Sequence, residues 1–515
     1  MLENFIISRI KAELPFEANE EKGELFTRLG RFMVSTDPRK CFVLKGYAGT
    51  GKTSVVSALV RALEKLHINT VLLAPTGRAA KVLSRYSGYP AFTIHKWIYR
   101  QDSAVQETFS VAENKNQNTL FIVDEASMIP AVRDNDNFGS GSLLNDLVSY
   151  VYNSQGCSLL LLGDDAQLPP VGSSDSKALE PDFLSGYGLT VMGYSLTQVA
   201  RQALDSGILR NATKLREQLN SSDFTVQIEP CKDVKEIHGT EVQELLERSY
   251  QEVGDEETII LTRTNKRTNL YNQGVRARVF WKEDQISNGD RLMVSKNNYF
   301  WTKDYDNLPF IANGDIMEIT RLRNERELYG FHFVDASLRL VDYDYDVDAI
   351  LWIDTLFTDS PDKSYALQRE LFTKIAEDYP EIHNKKDLVK LIRENEYYNA
   401  LQIRFAYAVT CHKAQGGQWR RVFIDPGTPN PNNVLTPDDQ RDYLRWYYTA
   451  LTRATEQIYL IRPEFTSKIY FLFVQIKLFL YLCRVFGASN NLLYEKTVFT
   501  LCSRTILRSR LDEQL

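Results

Sequence analysis

The chain has 515 residues, of which 43% are hydrophobic and 25% charged, the balance of a folded protein of several domains, which excludes a disordered, collagen-like or coiled-coil chain. Lys plus Arg total 61 against 67 Asp plus Glu, a formal net charge of -6; this excludes a broadly basic coat for duplex DNA and leaves room for a local basic groove. The 6 cysteines form no CxxC pair and have no histidine at zinc-ligand spacing, so the sequence predicts a reducing compartment and neither a disulfide framework nor a structural zinc site.

At the N-terminus, Met1–Phe5 carries no basic stretch leading into an apolar run with a cleavage site, and a cytoplasmic protein is expected. Apolar runs follow at Cys41–Leu44, Thr70–Leu73, Leu120–Val123 and Leu159–Leu162. Each ends in a polar or glycine-rich signature, and together they read as buried parallel strands. Between the first two, Val55, Leu59, Leu63 and Leu66 recur at helical spacing over Ser54–Leu66. The fold class is therefore α/β, an open sheet whose ligands gather at the carboxyl ends of its strands. Runs at Thr258–Leu261, Arg421–Ile424 and Ile458–Ile461 predict a second sheet assembled from two separated pieces. Between those pieces, Asn288–Val294 and Asn313–Ile319 are turn-then-strand signals of a small β-barrel, and Ser364–Asn399 is helical and highly charged. The predicted division is a first lobe over 1–195, a second over 196–285 and 400–465, an insertion over 286–399 and an unassigned tail over 466–515. In that tail the apolar stretch Ile469–Phe486 is interrupted by Gln475, Lys477 and Arg484, which favours an amphipathic helix docked on protein over a membrane anchor.

The chemistry sits where the first-lobe runs end. Gly46-Tyr47-Ala48-Gly49-Thr50-Gly51-Lys52-Thr53 fits the GxxxxGK[ST] phosphate loop between a strand and a helix. Gly46, Gly49, Thr50 and Gly51 would curl backbone N–H groups around the phosphates of ATP, Lys52 would neutralise the β/γ-phosphates and Thr53 would hold Mg²⁺. Asp124 and Glu125 emerge after the third run; Asp124 would bind Mg²⁺, and Glu125 would orient and deprotonate the attacking water. A ligand-free glycine turn and an acidic helix cap are the plain alternatives, and the strand–loop–helix context weighs against both.

The fourth run leads into Gly163-Asp164-Asp165-Ala166-Gln167-Leu168-Pro169-Pro170-Val171-Gly172, which resembles motif III of superfamily 1 helicases in their RecD-like branch. The other motifs follow in order. Ala74–Ala80 resembles motif Ia, Thr93–Lys96 the neighbouring DNA-contacting segment, Leu196–Gln202 motif IV, Thr410–Gly416 motif V and Tyr448–Ala454 motif VI. The resemblance runs roughly from Phe16 to Pro463. It implies two RecA-like P-loop NTPase lobes with an SH3-like barrel inserted in the second, and an ATP- and Mg²⁺-dependent DNA helicase. Such an enzyme steps 5′ to 3′ on single-stranded DNA and opens a DNA duplex with a 5′ tail.

By the same resemblance Gln167 would sense the γ-phosphate, and Arg201 and Arg453 would be arginine fingers, a role that suits a permanently charged planar guanidinium. Pro75, Thr76, His95, Thr410 and His412 would contact the DNA strand. Trp97 and Trp419 adjoin these segments and could stack bases, although core packing is the commoner role. Two departures are visible. Lys22 stands where a glutamine that reads adenine is expected, leaving base selectivity open, and Tyr99–Asn118 is short and polar where relatives carry a strand-splitting wedge. Two other readings are a single-lobe P-loop switch, for which both arginines and motifs V and VI would be superfluous, and a homologue without catalysis, against which the intact motif residues stand.

Overall fold

The computed structural model describes residues 2–462 apart from 104–107, 132–138, 200–205, 220, 222–225, 304, 306–307, 309, 343–344 and 428–435. All four apolar runs become neighbours in one parallel sheet. Its strand order is Ala91–Thr93, Thr70–Ala74, Leu120–Val123, Ser158–Gly163, Lys40–Gly46 and Thr190–Leu196. Alternation explains why these strands are apolar throughout rather than at every second position. Cys41, Val43, Phe121, Val123, Leu159 and Leu161 face one core, while Phe42, Leu44, Leu120, Ile122, Leu160 and Leu162 face another. The chain leaves Lys40–Gly46 in one direction and later crosses it in the other to place Thr190–Leu196, so the loop after Gly46 opens at the reversal of strand order. In sheets of this kind, that is where ligands bind.

The second sheet is also parallel, in the order Ala408–Thr410, Thr258–Thr262, Trp419–Asp425, Ala454–Ile461 and Val234–Ile237. Its two outer strands were not visible in the sequence, because runs of 3 and 4 residues carry too little periodicity.

A closed five-stranded barrel stands between the two pieces of this sheet. It is built from Arg291–Val294, Ile316–Leu328, Phe331–Leu340, Tyr345–Trp352 and Leu401–Phe405. The last strand closes it, antiparallel to the first and parallel to the fourth, and lies beyond residue 399. Tyr329 and Gly330, at φ 58° and 77°, make the two-residue turn that joins the longest pair of strands. Between Trp352 and Leu401 the charged segment forms two helices, Pro361–Ala376 and Lys385–Glu394, whose Leu371, Ile375 and Ile392 are buried with Phe331, Phe333 and Trp352 of the barrel.

The short polar stretch after Ile98 is a paired antiparallel hairpin, Tyr99–Ser103 with Thr108–Val111. Its Phe109 is buried against Tyr299 and Phe310, at ring-centroid distances of 4.5 and 6.3 Å. Tyr299 and Phe310 lie on the long connection between the first two barrel strands, so this connection ties the barrel to the first lobe. No helix among the described residues is long and apolar enough to cross a membrane. The helix expected at Ile469–Phe486 lies outside the described residues.

Candidate nucleotide cleft and strand channel

Three candidate groups meet at the carboxyl ends of the first-lobe strands. Gly49 and Gly51 adopt φ 77° and 88°, left-handed values that favour glycine, and bend the loop into the helix Lys52–Lys65. A side chain at Gly46 would put its Cβ 2.8 Å from Lys52 Cγ, so glycine is what lets the lysine fold across the loop. Buried Thr50 braces the curve by donating its N–H and hydroxyl to the Tyr47 carbonyl, at 3.3 and 2.8 Å. Lys52 Nζ donates to the Gly46 and Tyr47 carbonyls and lies 4.0 Å from Asp164 Oδ2. Thr53 follows in the first turn of the helix.

Asp124 Oδ1 accepts the Glu125 N–H at 2.9 Å, and Glu125 itself sits at φ 50°, a strained value for a side chain with a Cβ. Burial and the Glu125 carboxylate together push the Asp124 pKa up to about 6, against the pull of Lys52. Asp164, fully buried on the other side of Lys52, is raised chiefly by burial as well. Carboxyl groups held back from ionising in this way suit a divalent cation. Among the described residues no three acidic, histidine or cysteine side chains form a metal cage, so a cation at Asp124 and Thr53 would be completed by the phosphates it accompanies. Gln167 is 4% exposed, and its Oε1 has no hydrogen-bond partner among the described residues. A buried acceptor left unpaired is costly, and it fits a contact that arrives with a ligand.

The second lobe closes this cleft through Tyr448 and Arg216, whose roles the sequence motifs did not spell out, and through Arg453, the expected finger. Tyr448 donates its hydroxyl to Asp164 Oδ2 at 2.6 Å and accepts the Ala48 N–H of the phosphate loop at 2.9 Å. Arg216, on the helix Gly207–Leu219, lies over the Tyr47 ring at 4.4 Å. Arg453 is 3% exposed and reaches across to Glu125, with Nη1 at 3.9 Å from Oε1. The carbonyls of Thr449 and Gly417 and the Thr452 hydroxyl hold its guanidinium, each at 3.2 Å. The other arginine of the motif set, Arg201, lies outside the described residues.

Leu168, one residue beyond Gln167, is gripped from both sides by the second lobe. Its N–H donates to Thr449 Oγ1 at 2.9 Å, and its carbonyl accepts Gln415 Nε2 at 2.6 Å. Gln415 also borders a cavity of about 950 Å³ that runs between the lobes, the barrel and the helix Pro361–Ala376. Pro75, Thr76, His95 and His412 line this cavity, whereas Thr410 is half-buried beside it and does not. Thr76 accepts the Ala79 N–H as the cap of the helix Gly77–Ser87. Gly416, at φ 74°, presses against this corner, where a Cβ would stand 2.7 Å from that of Ala79. Burial holds the His95 pKa down at about 4 and lowers that of His412, so both imidazoles are neutral hydrogen-bonding groups near pH 7.

Trp419 is 3% exposed, with the Arg78 guanidinium 4.1 Å above its ring, and Trp97 packs on Phe92 at 4.9 Å. Trp97 packs within the first lobe, while Trp419, packed under Arg78, also lines the cavity. Arg78 thereby adds a link between the lobes, donating also to the Gln418 carbonyl at 3.3 Å. Lys22, 3% exposed at the start of the helix Glu20–Val34, lies beside the phosphate loop, its Cε 3.4 Å from where a Gly51 Cβ would stand.

These contacts make Gln415 a link from the cavity to Leu168, the residue after Gln167. Gln415→Glu keeps the shape and replaces an N–H donor with a carboxylate facing a carbonyl. The ratio of strand-stimulated to unstimulated nucleotide hydrolysis is expected to fall by about tenfold, measured as steady-state phosphate release.

Residues 32–241 match the AAA domain family, and residues 405–461 match the UvrD-like helicase C-terminal domain. The chain is 22% identical over 497 residues to an uncharacterized protein of Acanthamoeba polyphaga mimivirus, an alignment covering 82% of this chain and 96% of that protein. It is 32% identical over 170 residues to the ATP-dependent RecD2 DNA helicase of Deinococcus radiodurans, covering 33% of this chain and 21% of that enzyme. Against the ATP-dependent DNA helicase dda of enterobacteria phage T4 the identity is 25% over 286 residues, 54% of this chain and 62% of that protein.

Proposed function

Because the chain is a superfamily 1 P-loop helicase of the RecD-like branch, we propose that it is an ATP-dependent DNA helicase that steps 5′ to 3′ along single-stranded DNA and opens duplexes carrying a 5′ tail. The observation that carries the reading is the seam itself. Asp164 and Glu125 of one lobe meet Tyr448 and Arg453 of the other, and Thr449, next to Tyr448, holds the Leu168 that Gln415 joins to the cavity.

The chemistry follows from these positions. Lys52 releases its loop carbonyls and neutralises the β/γ-phosphates, while the loop N–H groups cradle them. Magnesium, held by Thr53 and Asp124, would spread the phosphate charge. Glu125 takes the proton of the attacking water, which the unpaired Gln167 Oε1 helps to orient. Arg453, already 3.9 Å from Glu125, stabilises charge on the transferring phosphoryl group. ATP favours the closed seam because both lobes contribute to its site, and hydrolysis removes that preference. Leu168 carries the change to Gln415, and so to the wall that holds the strand. Neutral donors such as Thr76, His95 and His412 position a backbone without reading its sequence.

Strand displacement on matched 5′-tailed and 3′-tailed duplexes tests the reading. The 5′-tailed substrate is expected to open in the presence of Mg-ATP and the 3′-tailed one to remain annealed. Preference for the 3′ tail would contradict the branch and direction together.

A further inference from the structure

The helix Pro361–Ala376 carries two different stripes. Leu367, Leu371 and Ile375 repeat every fourth residue and pack on the barrel cluster of Phe331, Phe333, Ile350 and Trp352. Tyr365, Gln368, Arg369 and Phe372, at the i, i+3, i+4 and i+7 positions of another face, line the same cavity as Thr76, His95 and His412. The helix therefore does more than cap the barrel. Gln368 fixes it in place by accepting from Lys296 Nζ at 2.9 Å, and Phe372 meets the Tyr398 ring at 6.0 Å.

Two residues of the cavity stripe, Tyr365 and Arg369, are used by neither of these contacts. Tyr365 is 71% exposed, a large aromatic ring presented to water on a channel that Thr76, His95 and His412 also line. Arg369 follows one turn later and is also exposed. An aromatic face beside a cation, along a groove walled by hydrogen-bond donors, is the arrangement that holds single-stranded nucleic acid by stacking and charge.

We propose that this helix is the third wall of the strand channel, with Tyr365 stacking on a base of the bound single strand and Arg369 pairing with its phosphate. The inference rests on reading the cavity as the strand channel. The strand is then enclosed by the insertion as well as held by the two lobes, and the stacked base resists slippage while the lobes reset.

The test is equilibrium binding of a labelled oligothymidylate, and of a strand of equal length with abasic sugars, by the full chain. Tyr365→Ala is expected to weaken oligothymidylate binding roughly 5- to 100-fold, Tyr365→Phe to stay within about twofold of the parent, and Tyr365→Ala to change nothing on the abasic strand. Arg369→Gln is expected to reduce the salt dependence of binding by about one phosphate contact. Equal losses on the two strands would overturn stacking. Parent-like binding by Tyr365→Ala while His412→Ala weakens it would overturn the third wall and leave the channel standing. Parent-like binding by both variants would remove the channel reading itself.

Discussion

Lys52→Ala is expected to lower DNA-stimulated ATP hydrolysis by at least about 10²–10³-fold, the scale of losing a preorganised charge aimed at the reacting phosphate. Among the described residues the ammonium is tied to the loop carbonyls of Gly46 and Tyr47, with Asp164 at 4.0 Å. Among the described residues no other cation stands ready to take its place, since Lys45 pairs with Asp165 at 3.2 Å and Lys22 lies against Gly51. Removing Lys52 also leaves Asp124 and Asp164 without the positive charge that offsets their burial. Both carboxyl groups should then be harder to ionise, which weakens cation binding as well. Steady-state phosphate release with saturating single-stranded DNA measures the loss; near-normal turnover would remove the phosphate loop from the chemistry.

Arg453→Ala should lower kcat by about 10³–10⁵-fold while leaving nucleotide affinity close to the parent, because a finger acts on charge that develops in the transition state. The structure adds a complication. Arg453 is buried and donates to the carbonyls of Thr449 and Gly417; the Thr449 carbonyl keeps the Thr452 hydroxyl, so the alanine variant strands the Gly417 carbonyl, at a cost of about 1–3 kcal/mol. Arg453→Lys separates the effects, since it retains a buried cation and loses the planar fork. If the finger role is right, the lysine variant melts near the parent temperature, binds a nonhydrolysable ATP analogue and still turns over slowly. A change confined to KM in the lysine variant would contradict it.

The sequence was most informative where one backbone signature must perform one chemistry. Gly46–Thr53, Asp124 and Gln167 stand at strand ends in the structure because an apolar run followed by a special turn is a local pattern that survives folding. The strand contacts were read less completely. Pro75, Thr76, His95 and His412 reach one cavity, but Thr410, inside the same motif as His412, does not line it.

Contacts between distant segments were not readable. Tyr448 joins Ala48 and Asp164 over 400 and 284 residues of chain, and Gln415 reaches Leu168 over 247. No periodicity or spacing records such pairings. Nor did the composition of Tyr99–Asn118 announce a hairpin, because Phe109 finds its partners in Tyr299 and Phe310 of the barrel connection. Trp419 shows the opposite case, an aromatic adjoining a nucleic-acid motif whose ring is taken by Arg78.

One coupling would drive the motor, between a nucleotide cleft at the seam and a strand channel a few residues away. The most direct measurement is the rate of ATP hydrolysis by the unaltered chain with and without saturating oligothymidylate. A rise of about tenfold or more on adding the strand, largely lost in Gln415→Glu, is the predicted result. The same rate with and without the strand would contradict it.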